Sequence, residues 1–154
     1  MIPFRGTVWR LLFAGALDRA ASPGPSPEGR FHHSGQPALY TSLTREGCGI
    51  AIRRYLRADD APRVLVPLDI DADRIADLRG AGAASAVWQD IRATGAPAPT
   101  WRLSDAARAA GAQGLLYRSR SRPDLLHLAL FDVTAVTAVG KAKHWTDAPP
   151  PPPV

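Results

Sequence analysis

The apolar residues of this chain fall into short runs that proline, glycine and serine interrupt, and this spacing limits the fold more than any other feature. No run approaches the roughly 20 residues that a membrane-spanning helix needs. Each run is long enough for one β-strand. The predicted strands are Gly6–Leu12, Ala38–Ser42, Arg63–Leu68, Gly114–Tyr117, Leu125–Phe131 and Val133–Val139. The last two are expected to pair antiparallel around Asp132.

Short helices are predicted between these strands. Thr44 and Ser104 are suitable N-caps for the first and the last helix, and Gly111 is a suitable stop for the last. Strands and helices do not alternate regularly, and the glycine-rich turn of Rossmann domains is absent from the sequence. The sequence therefore predicts an α+β fold with a compact mixed sheet and few helices. The predicted helices are Glu46–Leu56, Ser85–Thr94 and Asp105–Ala110.

The length of 154 residues fits a single domain. We expect that domain to span residues 1–145. The proline-rich segment 146–154 is predicted to be a disordered tail. A loop rich in serine, proline and glycine covers Ala21–Gly35. Long ordered loops often carry function, so this loop is a candidate part of a site.

The formal net charge of +5 at pH 7 favours an anionic partner. Nucleic acid, a dinucleotide phosphate and an acidic protein all fit this charge. The arginines are scattered along the chain and form no basic block, and no helix-turn-helix, RRM or KH pattern is recognisable. Direct binding of nucleic acid is therefore not expected.

The sequence offers neither a disulfide nor a metal site. Cys48 is the only cysteine, which is typical of a cytoplasmic protein, and we expect it to be buried. Asp69, Asp71 and Asp73 alternate as in a calcium loop. Arg74 stands where that loop needs glycine, however, and no glutamate closes the motif. These aspartates are predicted to lie in a solvated turn.

Three segments, in this order, form the most specific pattern in the chain. The first is Val8–Arg10 (VWR). The second is Gly29–His32 (GRFH), followed by Gly35–Ser42 (GQPALYTS). The third is Gly114–Ser119 (GLLYRS), followed by the apolar run Leu125–Phe131. Together these segments resemble the RES-domain family, the toxin components of RES–Xre toxin–antitoxin pairs.

The resemblance implies a fold like that of ADP-ribosyltransferase toxins and a reaction that consumes NAD+ as substrate, with no separate cofactor. The implied reaction is cleavage of the nicotinamide–ribose bond by a glycohydrolase or phosphorylase. Transfer of ADP-ribose to a protein and NAD+ binding without turnover are the alternatives. The implied partner is a cognate antitoxin, Xre-like, that blocks the active-site cleft. Formation of a homo-oligomer is left open.

The resemblance also implies site residues. Arg10 and Arg30 match the two family arginines, which suit a diphosphate because guanidinium offers a planar fork of donors. Tyr40 matches a tyrosine that can stack on nicotinamide, and Ser119 matches a serine that can bond its amide or a ribose hydroxyl. His32 replaces an asparagine and is a candidate ligand contact. Structural ion pairs for the arginines and a turn-closing role for Ser119 are the competing interpretations.

The family's helix glutamate has no clear counterpart. Its position falls near Ala51 or Ile52, and the chain has only two glutamates, Glu28 and Glu46. Glu46 lies about a turn and a half too early, where it is either a substitute catalytic acid or a first-turn residue favoured by the helix dipole. The chain is then a variant with a rearranged acid, a catalytically weak relative, or a protein whose acid was removed.

Overall fold

The computed structural model describes residues 1–146, so nearly all of the segment predicted to be a disordered tail lies outside the described residues. The fold is α+β, a mixed sheet with a few short helices, as the sequence predicted. The strands are β1 (Ile2–Phe13), β2 (Leu39–Ser42), β3 (Arg63–Asp77), β4 (Gly114–Arg118), β5 (Leu126–Leu130), β6 (Val136–Val139) and β7 (Lys143–Trp145). The helices are α1 (Arg45–Ile52), α2 (Gln89–Ala93) and α3 (Trp101–Ala109). No helix within residues 1–146 is long and apolar enough to cross a membrane.

Strand β3 organises the sheet, because both of its edges are paired over most of its 15 residues. One edge of β3, over residues 63–75, pairs antiparallel with almost the whole of β1. The other edge is shared by three strands in succession. β7 pairs with residues 63–65, β6 with residues 68–70, and β4 with residues 75–77. The pairing with β4 is parallel, and the other two are antiparallel.

The strand pairings form a closed circuit. β4 pairs with β5, β5 pairs with β2, and β2 returns to β1 through a single pair, Trp9 and Ser42. Since β1 and β4 both pair with β3, the sheet curls into a ring of five strands. Closure removes most unpaired sheet edges and gives the sheet an interior that apolar side chains fill.

Two apolar clusters form the core. The first joins Val8 of β1, Leu68 of β3 and Leu128 of β5, all fully buried. The second lies against α3 and contains Leu115 of β4 and Phe31 of the long loop. Complete burial of a phenylalanine side chain contributes about 1.5–3 kcal/mol. Phe31 therefore anchors a segment that has almost no regular secondary structure of its own.

The aspartates at positions 69, 71 and 73 lie in β3, and the prediction of a turn there is wrong. Their side chains are exposed and alternate with buried apolar residues along the strand. Arg5 of β1 pairs with the carboxylates of Asp71 and Asp73, each at 2.9 Å. This two-residue alternation is the signature of a strand with one wet face. The charged residues in this part of the sequence masked the alternation and suggested a turn.

The predicted antiparallel pair around Asp132 is also wrong, since β6 pairs with β3 and not with β5. The N–H groups of Phe131 and Asp132 both donate to the carbonyl of Gln113. The Asp132 carboxylate then accepts from the N–H of Thr134 and caps a 3-10 turn. The chain thus leaves β5 through a capped turn instead of a hairpin.

The helices follow the prediction in part. Thr44 caps α1, its hydroxyl accepting from the N–H of Gly47 at 3.0 Å. Gly111, with φ of 81°, follows the end of α3 as expected. Ser104 is not the cap of α3: it is buried one turn inside the helix, and its hydroxyl donates to the carbonyl of Trp101. The α-helical part of Ser85–Thr94 is confined to α2.

Replacing Gly114 with alanine is expected to destabilise the fold. A Cβ atom at Gly114 would lie 2.4 Å from the carbonyl oxygen of Ala129, so two strand backbones would have to separate. We expect Gly114→Ala to lower the free energy of unfolding by about 1–3 kcal/mol, the range for overpacked sites. Denaturant unfolding measures this. The matched control is Gly80→Ala, where nothing lies within 4 Å; equal stability of the two variants would contradict the prediction.

Candidate functional site

A cleft with a volume of about 630 Å³ opens between the long loop and the sheet. This volume lies within the range of small-molecule and cofactor sites. Its walls come from distant parts of the chain. They are the loop between residues 26 and 32, Tyr40 of β2, residues 50–55 at and after the end of α1, Trp88 and Gln89, Tyr117 of β4, residues 119–121 after β4, and His127 of β5.

Tyr40 and His32 are joined in a chain of hydrogen bonds in the cleft wall. Nε2 of His32 lies 2.9 Å from the carbonyl oxygen of Ser26, which can only accept, so Nε2 carries the hydrogen. Nδ1 therefore accepts from the Tyr40 hydroxyl at 2.7 Å, and that hydroxyl accepts from the N–H of Phe31. Burial lowers the pKa of His32 and raises the pKa of Tyr40 to about 12. Both side chains are neutral at pH 7, and the phenol ring is fixed.

Gly29 is required by this arrangement. A Cβ atom at Gly29 would lie 2.6 Å from Cε1 of His32 and 3.0 Å from the Tyr40 hydroxyl. The backbone of the loop passes directly beneath the histidine and the tyrosine, which only glycine permits. The glycine of the GRFH segment is thus explained by packing against the cleft wall.

Arg30 lines the cleft and also anchors the loop. Its Nη1 atom donates to the carbonyl oxygens of Ala84 and Ala86, at 3.3 and 2.6 Å. Desolvation by burial lowers the pKa of the guanidinium, although it stays charged at neutral pH. A positive charge is therefore held at a fixed place in the wall.

Ser119 is buried where β4 ends and lines the cleft. Its N–H donates to the carbonyl of Leu125, and its hydroxyl oxygen accepts from the N–H of Arg122 at 3.3 Å. These two bonds close the turn between β4 and β5. Within residues 1–146 the hydroxyl hydrogen has no protein acceptor, so it is free to donate to a ligand.

Tyr117 and His127 line the cleft, and neither was singled out from the sequence as a site residue. They are register partners on β4 and β5, with ring centroids 5.4 Å apart. Nδ1 of His127 lies 2.7 Å from the hydroxyl of Ser42, and burial lowers the pKa of the imidazole to about 4. The available signal was that Tyr117 precedes Ser119 by two residues and so lies on the same strand face.

Arg10 is not among the residues that line the cleft, although the resemblance predicted it as a catalytic and substrate-binding residue. Its Nη1 atom donates to the carbonyl oxygens of Arg19, Ala20 and Ser22 at 3.1, 2.7 and 2.6 Å. Burial lowers the pKa of this guanidinium to about 10. Arg10 therefore holds the start of the long loop by bonding its carbonyl oxygens.

Glu46, which the resemblance offered as a substitute catalytic acid, is also not among the residues that line the cleft. It lies in the first turn of α1, and its carboxylate is exposed and accepts from Nη1 of Arg122 at 3.0 Å. Ala51 and Ile52, where the family's acid would fall, do line the cleft. The helix thus presents the expected position to the cleft, but without a carboxylate.

The cleft carries an excess of positive charge. Arg53, Arg54 and Arg120 line it in addition to Arg30, are exposed, and make no side-chain hydrogen bond or ion pair within residues 1–146. Glu28 is the one carboxylate among the described lining residues. No group of three or more metal-ligating side chains occurs in this part of the chain. Such a cleft suits an anionic ligand.

Comparisons with known proteins identify a family from the sequence and a similar fold among solved structures. Residues 7–150 match the model of the RES domain. Among solved structures, the chain is similar to one in the crystal structure of the M. tuberculosis MbcT-MbcA toxin-antitoxin complex, with a TM-score of 0.64 and 18% sequence identity. The similarity covers 94% of this chain and 86% of that one. No protein with a curated description matches.

The burial of neutral His127 predicts a dependence of stability on pH. Its folded pKa of about 4 lies below the ordinary value of 6.5, so the unfolded chain binds the extra proton between these values. Stability is therefore lost as the pH falls through this window. Between pH 7 and pH 4, wild type should lose about 3 kcal/mol more unfolding free energy than His127→Asn, which keeps a polar atom near Ser42.

Denaturant unfolding at a series of pH values measures this difference, and the carboxylates shared by both variants cancel. NMR titration of the imidazole gives the pKa directly. A His127 that titrates near 6.5 in the folded protein would refute the prediction.

Proposed function

The chain belongs to the RES-domain family, and from this premise we propose that it binds NAD+ in the cleft and cleaves its nicotinamide–ribose bond. One observation carries the proposal. Arg30, Tyr40 and Ser119, which the resemblance marked in separate segments, all line one cleft of cofactor size. Their convergence supports a shared ligand with a phosphate, an aromatic ring and hydroxyl groups.

The proposed reaction needs little acid catalysis. The bond between the ribose C1′ atom and the nicotinamide nitrogen breaks, and its electron pair leaves with nicotinamide, which becomes neutral. Positive charge builds on the ribose ring in the transition state. Water then attacks C1′, giving ADP-ribose and a proton, or phosphate attacks, giving ADP-ribose phosphate. The protein must hold the diphosphate and stabilise the cationic sugar.

The cleft residues fit these tasks. Arg30 offers a forked pair of donors for the diphosphate, and so do the exposed arginines that line the cleft, which are Arg53, Arg54 and Arg120. The Tyr40 ring is held by two hydrogen bonds and presents a rigid face for nicotinamide. The free hydroxyl hydrogen of Ser119 can donate to the nicotinamide carbonyl or to a ribose oxygen. Arg10 acts one step away, by fixing the loop that carries Arg30.

We also propose a protein partner. The similar M. tuberculosis chain was solved in a toxin-antitoxin complex. By analogy, this chain would act as a toxin in the cytoplasm and be neutralised by a cognate, Xre-like antitoxin that covers the cleft. The unpaired arginines at the cleft rim favour an acidic contact surface on that partner.

A second candidate function is NAD+ binding without turnover. The observation that favours it is the absence of an acid at Ala51 and Ile52, although both line the cleft. Calorimetry would then show NAD+ binding while the nucleotide stays intact. Transfer of ADP-ribose to a protein would instead appear as a mass increase of the acceptor.

The direct test is incubation of the purified protein with NAD+, with and without phosphate, while nicotinamide release is followed by chromatography. We expect nicotinamide to be released at a rate well above the spontaneous one, and the second product identifies the acceptor. Folded protein that leaves NAD+ intact for hours would contradict cleavage. Binding in the same sample would then support the second candidate.

Ala51→Glu is expected to raise the rate of nicotinamide release. Ala51 is exposed on the cleft side of α1, so the larger side chain needs no repacking. A carboxylate there would face the cationic ribose, and a single preorganised electrostatic group is worth about 10²–10³ in kcat. Ala51→Gln is the neutral control of the same size. Equal rates for the two variants would show that charge at this position has no effect.

A further inference from the structure

The cleft poses an electrostatic problem for the proposed reaction. Four arginines line it, and the transition state of the proposed cleavage is itself a cation. The family's helix position is occupied by Ala51, and Glu46 lies outside the cleft in an ion pair with Arg122. The diphosphate offsets the arginines that would bind it, and a further negative group near the sugar would stabilise the cationic ribose.

Glu28 is the one carboxylate among the described residues that line the cleft. It directly precedes Gly29, whose backbone passes beneath His32 and Tyr40. Its side chain is 37% exposed, so it is neither buried in the core nor free in solvent. A carboxylate at this place lies on the same wall as the predicted nicotinamide contacts.

The carboxylate is held in position by Arg92. The Nε atom of Arg92 lies 3.0 and 3.2 Å from the two oxygens of Glu28. The Nη1 atom of Arg92 donates to the carbonyls of Gly95 and Ala96, and its guanidinium lies over the ring of Trp101. Arg92 is thus fixed on three sides. Each Glu28 oxygen has further lone pairs available for a second interaction.

The peptide beside Glu28 is fixed as well. The indole N–H of Trp101 donates to the carbonyl oxygen of Gly29 at 2.7 Å. The Glu28 side chain is therefore attached to α2, and the adjacent backbone carbonyl is attached to α3. A charge held on a rigid scaffold stabilises a developing cation better than a mobile one, because it needs no reorganisation during the reaction.

We propose that Glu28 is the catalytic carboxylate of this chain, facing the cationic ribose in place of the family's helix acid. The proposal rests on the proposed NAD+ cleavage. Glu28 acts by its charge and takes no proton from the substrate, and Arg92 is the residue that positions it. The acid has thus moved from α1 to the long loop on the cleft wall.

The test compares NAD+ cleavage by wild type, Glu28→Gln, Arg92→Gln and the double variant Glu28→Gln/Ala51→Glu. We expect Glu28→Gln to lower kcat by about 10²–10³-fold with little change in KM. Arg92→Gln breaks the same ion pair but keeps the carboxylate, so its kcat should fall less than that of Glu28→Gln. Ala51→Glu should raise the rate by a larger factor in the Glu28→Gln background than in wild type, because the two carboxylates would serve the same charge, whereas a purely structural role for Glu28 predicts the same factor in both backgrounds.

Glu46→Gln makes the same exchange at the other glutamate and is expected to keep the wild-type rate. Thermal unfolding of each variant separates loss of folding from loss of chemistry. If wild type cleaves NAD+ and folded Glu28→Gln is equally fast, the role of Glu28 is refuted while the proposed function stands. If wild type leaves NAD+ intact, the proposed function fails and the role of Glu28 fails with it.

Discussion

The pairing of β3 along both edges is the constraint on which the rest of the structure depends. One edge of this 15-residue strand pairs with β1 alone, and its second edge is divided among β7, β6 and β4. This division brings β4 beside β3 at one end only, and from there β5 and β2 complete the circuit back to β1. The ends of β2, β4 and β5 then surround the cleft.

Several arginines around the long loop donate hydrogen bonds to backbone carbonyls. Arg10 holds the carbonyls of residues 19, 20 and 22, and Arg30 holds those of residues 84 and 86. Arg108 similarly donates to the carbonyls of Phe31 and Pro37. A loop with little regular structure leaves many carbonyls unpaired, and guanidinium can satisfy several at once. This explains why arginine prevails over lysine in a chain whose basic surplus first suggested only an anionic partner.

The sequence predicted the strands well where an apolar run coincided with the strand, as in β2, β4 and β5. The prediction failed in the aspartate-rich half of β3, where charged residues masked the two-residue alternation of a strand. It also failed at Ser104, because tertiary contacts place the start of α3 before that residue. Four of the candidate site residues line the cleft: Arg30 and His32 belong to the loop around Gly29, Tyr40 lies in β2, and Ser119 follows the end of β4. Arg10 and Glu46 do not, since a matching residue type does not determine where the side chain points. Tyr117 and His127 were missed because their partnership exists only across paired strands.

One junction in the ring of strands has fewer paired residues than the others. β1 and β2 share a single residue pair, Trp9 and Ser42, whereas each remaining junction of the ring is made by three or more. Separation of these two strands would break fewer ladder hydrogen bonds than separation at any other junction of the ring, so we expect local opening there first. Because β2 carries Tyr40, an opening there would widen the cleft while β3 and its partners stay intact. The junction of the ring with the fewest paired residues is thus also one whose opening would change access to the site.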